Sequence, residues 1–93
     1  MSRTLISTAR FRRAYHRLHL SDQGLVDHAL VQLIAYLETR QASVGLGVKK
    51  LAPGVFEVRA GLALRMVYVE EESHVVLALL GHHDDVHRFL RRQ

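Results

Sequence analysis

Cysteine and tryptophan are both absent from this chain of 93 residues, and proline occurs only once. Without cysteine the protein forms no disulfides and offers no thiolate metal ligands, which suits a reducing compartment. No apolar run approaches the roughly 20 residues that a membrane-spanning helix needs, and residues 1–13 lack the apolar segment of a signal peptide. These absences predict a cytoplasmic protein with no membrane segment.

The length and composition that remain describe a small folded protein. With 48% hydrophobic residues, the chain is apolar enough to fold, and 93 residues leave room for one modest core. No linker, internal repeat or low-complexity segment interrupts it. We therefore predict one domain over residues 1–93.

Positive charge is concentrated in two segments, although the net charge is only +4. Residues 1–20 contain five arginines and no acid, and residues 49–69 contain four basic residues against Glu57 alone. The acids gather at Glu70–Glu72, which we interpret as a solvated turn. If the basic segments meet in space, they form a surface suited to phosphates or to an acidic protein partner. The alternative is a basic surface that serves only solubility.

The first half of the chain has the spacing of two helices. Ser7 or Thr8 is a candidate N-cap for a helix over Thr8–Leu18, and a short edge strand at Thr4–Ile6 precedes it. A second helix over Ser21–Arg40 is predicted by a stripe with i, i+3, i+4 spacing, formed by Val26, Ala29, Leu30, Leu33, Ile34 and Leu37. The short connection between the helices predicts an antiparallel helical hairpin, followed by a loop over Ala42–Gly47.

The second half predicts three antiparallel strands and a final helix. The strands are Val55–Ala60, with Phe56 and Val58 on one face and Glu57 and Arg59 on the other, then Leu62–Val69 and Val75–Leu80. Lys49-Lys50-Leu51 leads into them through a Pro53-Gly54 turn, and Asp84 or Asp85 caps the helix. The predicted class is α+β, with an N-terminal helical hairpin packed on one side of an antiparallel sheet and a short C-terminal helix.

Three histidines, His82, His83 and His87, follow the end of the last strand. A rigid sheet aims the residues that it releases, and imidazole titrates near neutral pH, so His83 is a candidate acid or base. His83 could instead be only a turn or helix-start residue. Arg65 interrupts an apolar strand face, where a structural salt bridge and a phosphate contact are equal alternatives, and Arg59 could pair with an acid.

Metal binding is a separate possibility for the same segment. His83 and His87 are four residues apart, so a helix would place them on one side, and Asp84 or His82 could add a ligand. A catalytic zinc site needs three fixed protein ligands, and the start of this helix is not fixed by the sequence. We therefore expect neither a metal nor another cofactor.

The ordered set of segments resembles the toxins of the RelE/ParE superfamily of bacterial toxin–antitoxin systems. The resemblance covers nearly the whole chain: the two leading helices, Lys49-Lys50-Leu51, Phe56–Arg59, Leu64–Tyr68 and the closing segment Gly81–Leu90. It implies the small RelE/ParE-like α+β fold. It also implies a cognate antitoxin as partner, and hence a hetero-oligomer.

The best-known members of this family cut messenger RNA on the ribosome, which implies a metal-independent endoribonuclease. In that reaction the ribose 2′-OH attacks the adjacent phosphate, leaving a 2′,3′-cyclic phosphate. The resemblance implies catalytic roles for Arg59, His83 and His87, and contacts to RNA phosphates from Lys49, Lys50, Arg65 and His82. Two alternatives remain open: a ParE-like inhibitor of DNA gyrase, and an inactive homologue that acts as a binding module.

Overall fold

The computed structural model describes residues 3–41 and 46–92, in which it places three helices and five strands. In chain order they are β1 Thr4–Ser7, α1 Ala9–Arg17, α2 Leu20–Thr39, β2 Val48–Ala52, β3 Val55–Ala60, β4 Leu64–Glu70, β5 His74–Gly81 and α3 His83–Arg91. The predicted α+β class is confirmed. The loop predicted over Ala42–Gly47 lies mostly outside the described residues. No helix within the described ranges combines the length and apolarity needed to cross a bilayer.

The five strands form one mixed sheet in the order β1-β5-β4-β3-β2. Strands β2 to β5 pair antiparallel with their neighbours, as predicted for the last three, whereas the edge strand β1 pairs parallel with β5. Leu5 of β1 lies opposite Val75 of β5. The sheet is therefore mixed rather than purely antiparallel, because the first and last strands run in the same direction.

The segment Lys49-Lys50-Leu51, predicted to be a lead-in loop, is part of strand β2. Its two lysines point to opposite faces, as successive strand residues do, so the apolar and polar positions do not alternate visibly. The register with β3 also shifts between Lys50 and Ala52. The strand was missed because both features hide the period-two pattern.

The helix starts agree with the sequence in one case and differ in two. Thr8 caps α1, and its Oγ1 accepts a hydrogen bond of 3.1 Å from the backbone N–H of Phe11. The Ser21 cap was wrong, because α2 begins earlier with His19 as its N-cap. At α3 the N-cap is His82, and Asp85 lies three residues inside the helix, where it accepts a hydrogen bond from the backbone N–H of His82.

Two apolar clusters cover the two faces of the sheet. The larger one joins α1 and α2 to the sheet and includes Phe11, Val26, Ala29, Leu33, Val58, Met66 and Tyr68. The smaller one lies under α3 and consists of Val55, Val67, Leu79 and Val86, with Phe89 and Leu90 packed against it. Helices α1 and α2 therefore lie on one side of the sheet, as predicted for the N-terminal pair, and α3 covers the other side. The apolar residues of β3 and β4 occur on both faces, and each face takes its own helical cover.

Helix α2 is apolar on more than its core-facing side. Leu33 is fully buried and Leu30 is half-buried, as the predicted stripe requires, but Ile34 is 42% exposed. One residue advances a helix by about 100°, so a position next to Leu33 can leave the core. Leu20 and Val31 are also exposed.

Glu70 does not belong to a solvated acidic turn. It ends β4, where its carboxylate pairs with Arg40 at 2.7 Å and with Arg3 at 3.3 Å. The hydrogen bond from Arg40 is the main reason why the pKa of Glu70 lies below its usual value. Glu71 and Glu72 are exposed. The interpretation of a solvated turn therefore holds for those two residues only.

Candidate functional site

The strand register gathers basic side chains on the sheet face that α3 covers, called here the α3 face. Lys49 pairs with Glu57, and Arg59 pairs with Arg65, which in turn pairs with Gly81. Directly paired residues share a face, as do residues two apart in one strand. Lys49, Glu57, Arg59 and Arg65 therefore lie on one face, the face of Val55 and Val67 in the smaller apolar cluster.

Two of the predicted site residues lie away from this face. Lys50 pairs with Phe56, which packs against the larger cluster, so Lys50 belongs to the opposite face. His82 lines a cavity of about 310 Å³ together with Arg10 and Arg17 of α1. The other five, Lys49, Arg59, Arg65, His83 and His87, are on or beside the α3 face.

Glu57 is a buried carboxylate at the centre of the α3 face. It is 5% exposed, and the Nη1 of Arg65 donates a hydrogen bond of 3.1 Å to its Oε1. A buried charge needs a partner, so Arg65 forms the structural salt bridge that was one of its two predicted roles. The Nε of Arg65 is buried and has no hydrogen-bond partner among the described residues.

Glu57 was not among the functional residues predicted from the sequence. A signal was present, because Glu57 is the only acid in residues 49–69 and shares a strand face with Arg59. The alternation alone does not tell which arginine the acid meets. The register supplies that answer, since Arg65 is the diagonal neighbour of Glu57 on the next strand.

The same Arg65 nitrogen also contacts His83. Its Nη1 lies 3.1 Å from the Nδ1 of His83. A guanidinium can only donate, so Nδ1 accepts and the ring proton of His83 is on Nε2. In this arrangement the lone pair of Nδ1 is engaged by Arg65, and Nε2–H is the donor of the ring. For His83 to accept a proton at Nδ1, Arg65 must first move away.

His83 and His87 form a pair on the first turns of α3. Their ring centroids are 4.3 Å apart with an interplanar angle of 66°, and both side chains are exposed. Val86 holds the helix to the smaller apolar cluster from the inner side. The two imidazoles therefore stand together at the edge of the α3 face, as their spacing of four residues predicts.

Asp85 and Gly81 fix the point where α3 leaves the sheet. The backbone N–H of His82 donates to the Asp85 carboxylate, and this bond, with the nearby Arg88 guanidinium, holds the pKa of Asp85 below its usual value. A Cβ at Gly81 would lie 2.6 Å from the Oδ2 of Asp85. Only glycine lets the carboxylate approach so closely, so this pair sets the direction in which His83 emerges.

The α3 face has an excess of positive charge. The only acid of this group of strand residues is Glu57, which balances one of three positive charges, those of Lys49, Arg59 and Arg65. Arg59 is exposed, and no ion pair between described residues includes it. Like charges directly opposite in a sheet are unfavourable, and an anion between them removes that cost. The face is thus suited to a phosphate, with two imidazoles close by.

Among the described residues, no third ligand joins His83 and His87. Over residues 3–41 and 46–92 no group of three or more histidine, aspartate or glutamate side chains is arranged to hold a metal ion. His82 lines the cavity beside α1, and Asp84 is exposed.

The fold is similar to solved structures of bacterial and archaeal toxins. A copper-bound mutant toxin from Helicobacter pylori superposes with a TM-score of 0.71 at 18% identity, over 91% of this chain and 99% of that one. A chain of the RelB–RelE antitoxin–toxin complex from Methanococcus jannaschii gives 0.65 at 8% identity, over 90% and 96%. YafQ from Escherichia coli gives 0.53 at 10% identity, over 91% and 98%.

No protein-family model and no curated protein sequence matches this chain. At these low identities the structural neighbours establish the fold, which is that of RelE-type toxins and covers nearly the full length of both partners. The fold implied by the sequence resemblance is confirmed.

Proposed function

We propose that this chain is the toxin of a toxin–antitoxin system and cleaves messenger RNA on the ribosome. The observation that favours this function is the pair of opposed arginines, Arg59 and Arg65, on the same face as His83. A phosphate bound between the two guanidinium groups would lie close to an imidazole. This arrangement suits phosphoryl transfer to a ribose 2′-oxygen, with the 5′-oxygen as the leaving group.

The reaction needs three groups around the scissile phosphate. The 2′-oxygen bonds to phosphorus, its proton goes to a base, and the 5′-oxygen leaves and takes up a proton. Arg59 stabilises the charge of the phosphorane, and Lys49 holds the RNA backbone beside it. A phosphate that attracts the guanidinium of Arg65 would free the Nδ1 of His83, which then acts as base or acid.

The remaining predicted residues have supporting roles. His87 stands beside His83 and either passes a proton to it or stacks on a nucleobase. Lys50 and His82 lie outside the α3 face, so we assign them to contacts with more distant parts of the RNA. No metal is needed, because the arginines supply the charge stabilisation.

We also propose that a cognate antitoxin holds this toxin inactive. One structural neighbour was solved as an antitoxin–toxin complex. The excess of cations on the α3 face and the arginines of α1 suit an acidic segment, whose binding would weaken as salt screens exposed charges. The expected state in the cell is a hetero-oligomer. A purified chain with no co-purifying protein and no effect on bacterial growth would contradict this.

The deciding experiment is induced expression of the wild type, His83→Gln and a control, His28→Gln, with separate measurements of protein synthesis and DNA supercoiling. Loss of an acid–base group lowers cleavage by about 10²–10⁴-fold, so His83→Gln should restore translation. His28 is exposed on α2, and its variant should stay toxic. Loss of supercoiling with normal translation would favour the gyrase alternative, and no effect on either would favour an inactive homologue.

Arg59→Ala tests the charge stabilisation separately. The side chain is exposed and the variant should fold normally, while messenger-RNA cleavage on ribosomes falls by about 10²–10³-fold. The matched control is Arg13→Ala, which removes an exposed arginine from α1 on the other side of the sheet. Equal losses in both variants would mean that general positive charge, and not the α3 face, drives the activity.

A further inference from the structure

The outward side of α2 is apolar and uncovered within the described structure. Leu20 is 85% exposed, Val31 is 67% exposed and Ile34 is 42% exposed. They lie on one line along the helix. We call this line the outer stripe, and its residues are Leu20, Gly24, Asp27, Val31, Ile34 and Glu38. The alternating spacing of four and three residues is that of a helix that packs against another helix.

We propose that the outer stripe is the interface of a homodimer, in which two copies of the chain pair their α2 helices antiparallel. The two-fold axis passes between Asp27 and His28. Each contact then occurs twice, because a two-fold interface is self-complementary. The partner is a second copy of this chain.

The shape of the outer stripe fits this axis. An antiparallel pairing centred between residues 27 and 28 places Gly24 opposite Val31 of the second copy. A Cβ at Gly24 would have nothing within 4 Å, so the glycine leaves open space beside the helix. Val31 is an exposed side chain that can fill it. Leu20 then packs against Ala35 of the second copy, which covers the most exposed apolar residue of α2.

The charges on the outer stripe favour the antiparallel orientation. It brings Asp27 of each copy next to His28 of the other, and it brings Glu38 to the positive N-terminal end of the second α2. A parallel pairing would instead set Asp27 against Asp27 and Glu38 against Glu38. Like charges at such positions are unfavourable, and parallel helix dipoles add to the cost.

The expected dimer is reversible and leaves the α3 face open. A helix of 20 residues is about 30 Å long, so a single helix pair gives an interface at the small end of the range for protein complexes. Helix α2 packs on the sheet face opposite to α3. Dimerisation therefore does not cover His83, and the proposal does not depend on the nuclease assignment.

Single-cysteine crosslinking tests the axis directly, because the natural chain has no cysteine. In an antiparallel dimer the two copies of residue 27 lie on the outer stripe beside the axis, within reach of a disulfide. The two copies of residue 38 are about 30 Å apart. Asp27→Cys should form a covalent dimer on oxidation, and Glu38→Cys should not. Equal crosslinking of both variants, or none of either, would overturn the proposal.

Sedimentation equilibrium tests the surface without a crosslink. The wild type should show a concentration-dependent monomer–dimer equilibrium, and Val31→Glu should weaken it by about tenfold or more. The matched control, Leu62→Glu, places the same charge at a residue that is 95% exposed between β3 and β4. A wild type that stays monomeric, with a Kd above about 1 mM, contradicts the dimer. So does a Leu62→Glu variant that weakens association equally.

Discussion

Glu57 and Arg65 form an ion pair on a strand face that is partly covered by a helix. Taking a carboxylate and a guanidinium out of water costs several kcal/mol for each ion, and the pair exists because each offsets the other. The salt bridge also fixes the guanidinium in position, so that the same Nη1 reaches the Nδ1 of His83. A single buried carboxylate thus determines where the ring proton of a candidate catalytic histidine is located.

Glu57→Gln tests this arrangement. The amide keeps the size of the side chain but leaves Arg65 without a counter-charge, so the free energy of unfolding in urea should fall by about 3 kcal/mol. In ¹⁵N NMR spectra, wild-type His83 should show the Nε2–H tautomer, and the variant should show a mixture. The exposed His74 serves as an internal reference, and Glu72→Gln is the control for charge. An unchanged His83 pattern in Glu57→Gln would show that Arg65 is held by other contacts.

At the scale of elements, the start of α3 depends on the cap formed by Asp85. Asp85→Ala removes the acceptor for the His82 N–H and should lower the free energy of unfolding by about 1 kcal/mol, with faster amide exchange in α3. Asp84→Ala, one residue away and exposed, is the matched control. The pKa of Asp85 is lowered in the folded state, so its contribution is present at neutral pH and is lost as pH falls through that lowered pKa.

The elements differ in how far the sequence predicts them. Helices α1 and α2 follow from apolar spacing, because a period of 3.6 that persists over many residues is typical of a helix and of no other regular element. Strand β2 was missed because adjacent lysines mask its alternation. The sequence also did not predict which helix covers which face of the sheet. Met66 and Val67 point to opposite faces and both are fully buried, so alternation does not tell which helix lies over which residue.

The candidate site was predictable in part for similar reasons. A shared site was suggested by the chemistry of Arg59 and His83 and by the position of His83 beyond a strand end. The register supports it, because the strands β3 and β5 that carry them both pair with β4. The pairing of Glu57 with Arg65 depends on the offset between β3 and β4, which no local pattern encodes. The exposure of Ile34 could not be predicted either. An apolar residue in a helix does not reveal whether its own chain buries it.

At the scale of the whole molecule, Glu70 joins distant parts of the chain. Its carboxylate binds Arg3 before β1 and Arg40 at the end of α2. Glu70→Gln should lower the free energy of unfolding by about 1 kcal/mol at neutral pH. Because the folded-state pKa of Glu70 is lowered, this difference should vanish as pH falls through that lowered value. Unfolding curves from pH 7 to pH 3 measure this difference in free energy, with the exposed Glu72→Gln variant as control. A difference that stays constant over this range would show that the ion pairs of Glu70 do not depend on its ionisation.

The parallel pairing of β1 with β5 has a consequence for the order in which the chain folds as it is synthesised. Thr4 is made long before His74, its neighbour in the sheet. The first strand must therefore wait, unpaired, until β5 has left the ribosome, and contacts so distant in sequence form slowly. His83 and His87 follow later still. The α3 face is thus completed only after α3 has been made, and a nascent chain that has not yet reached α3 has no assembled site.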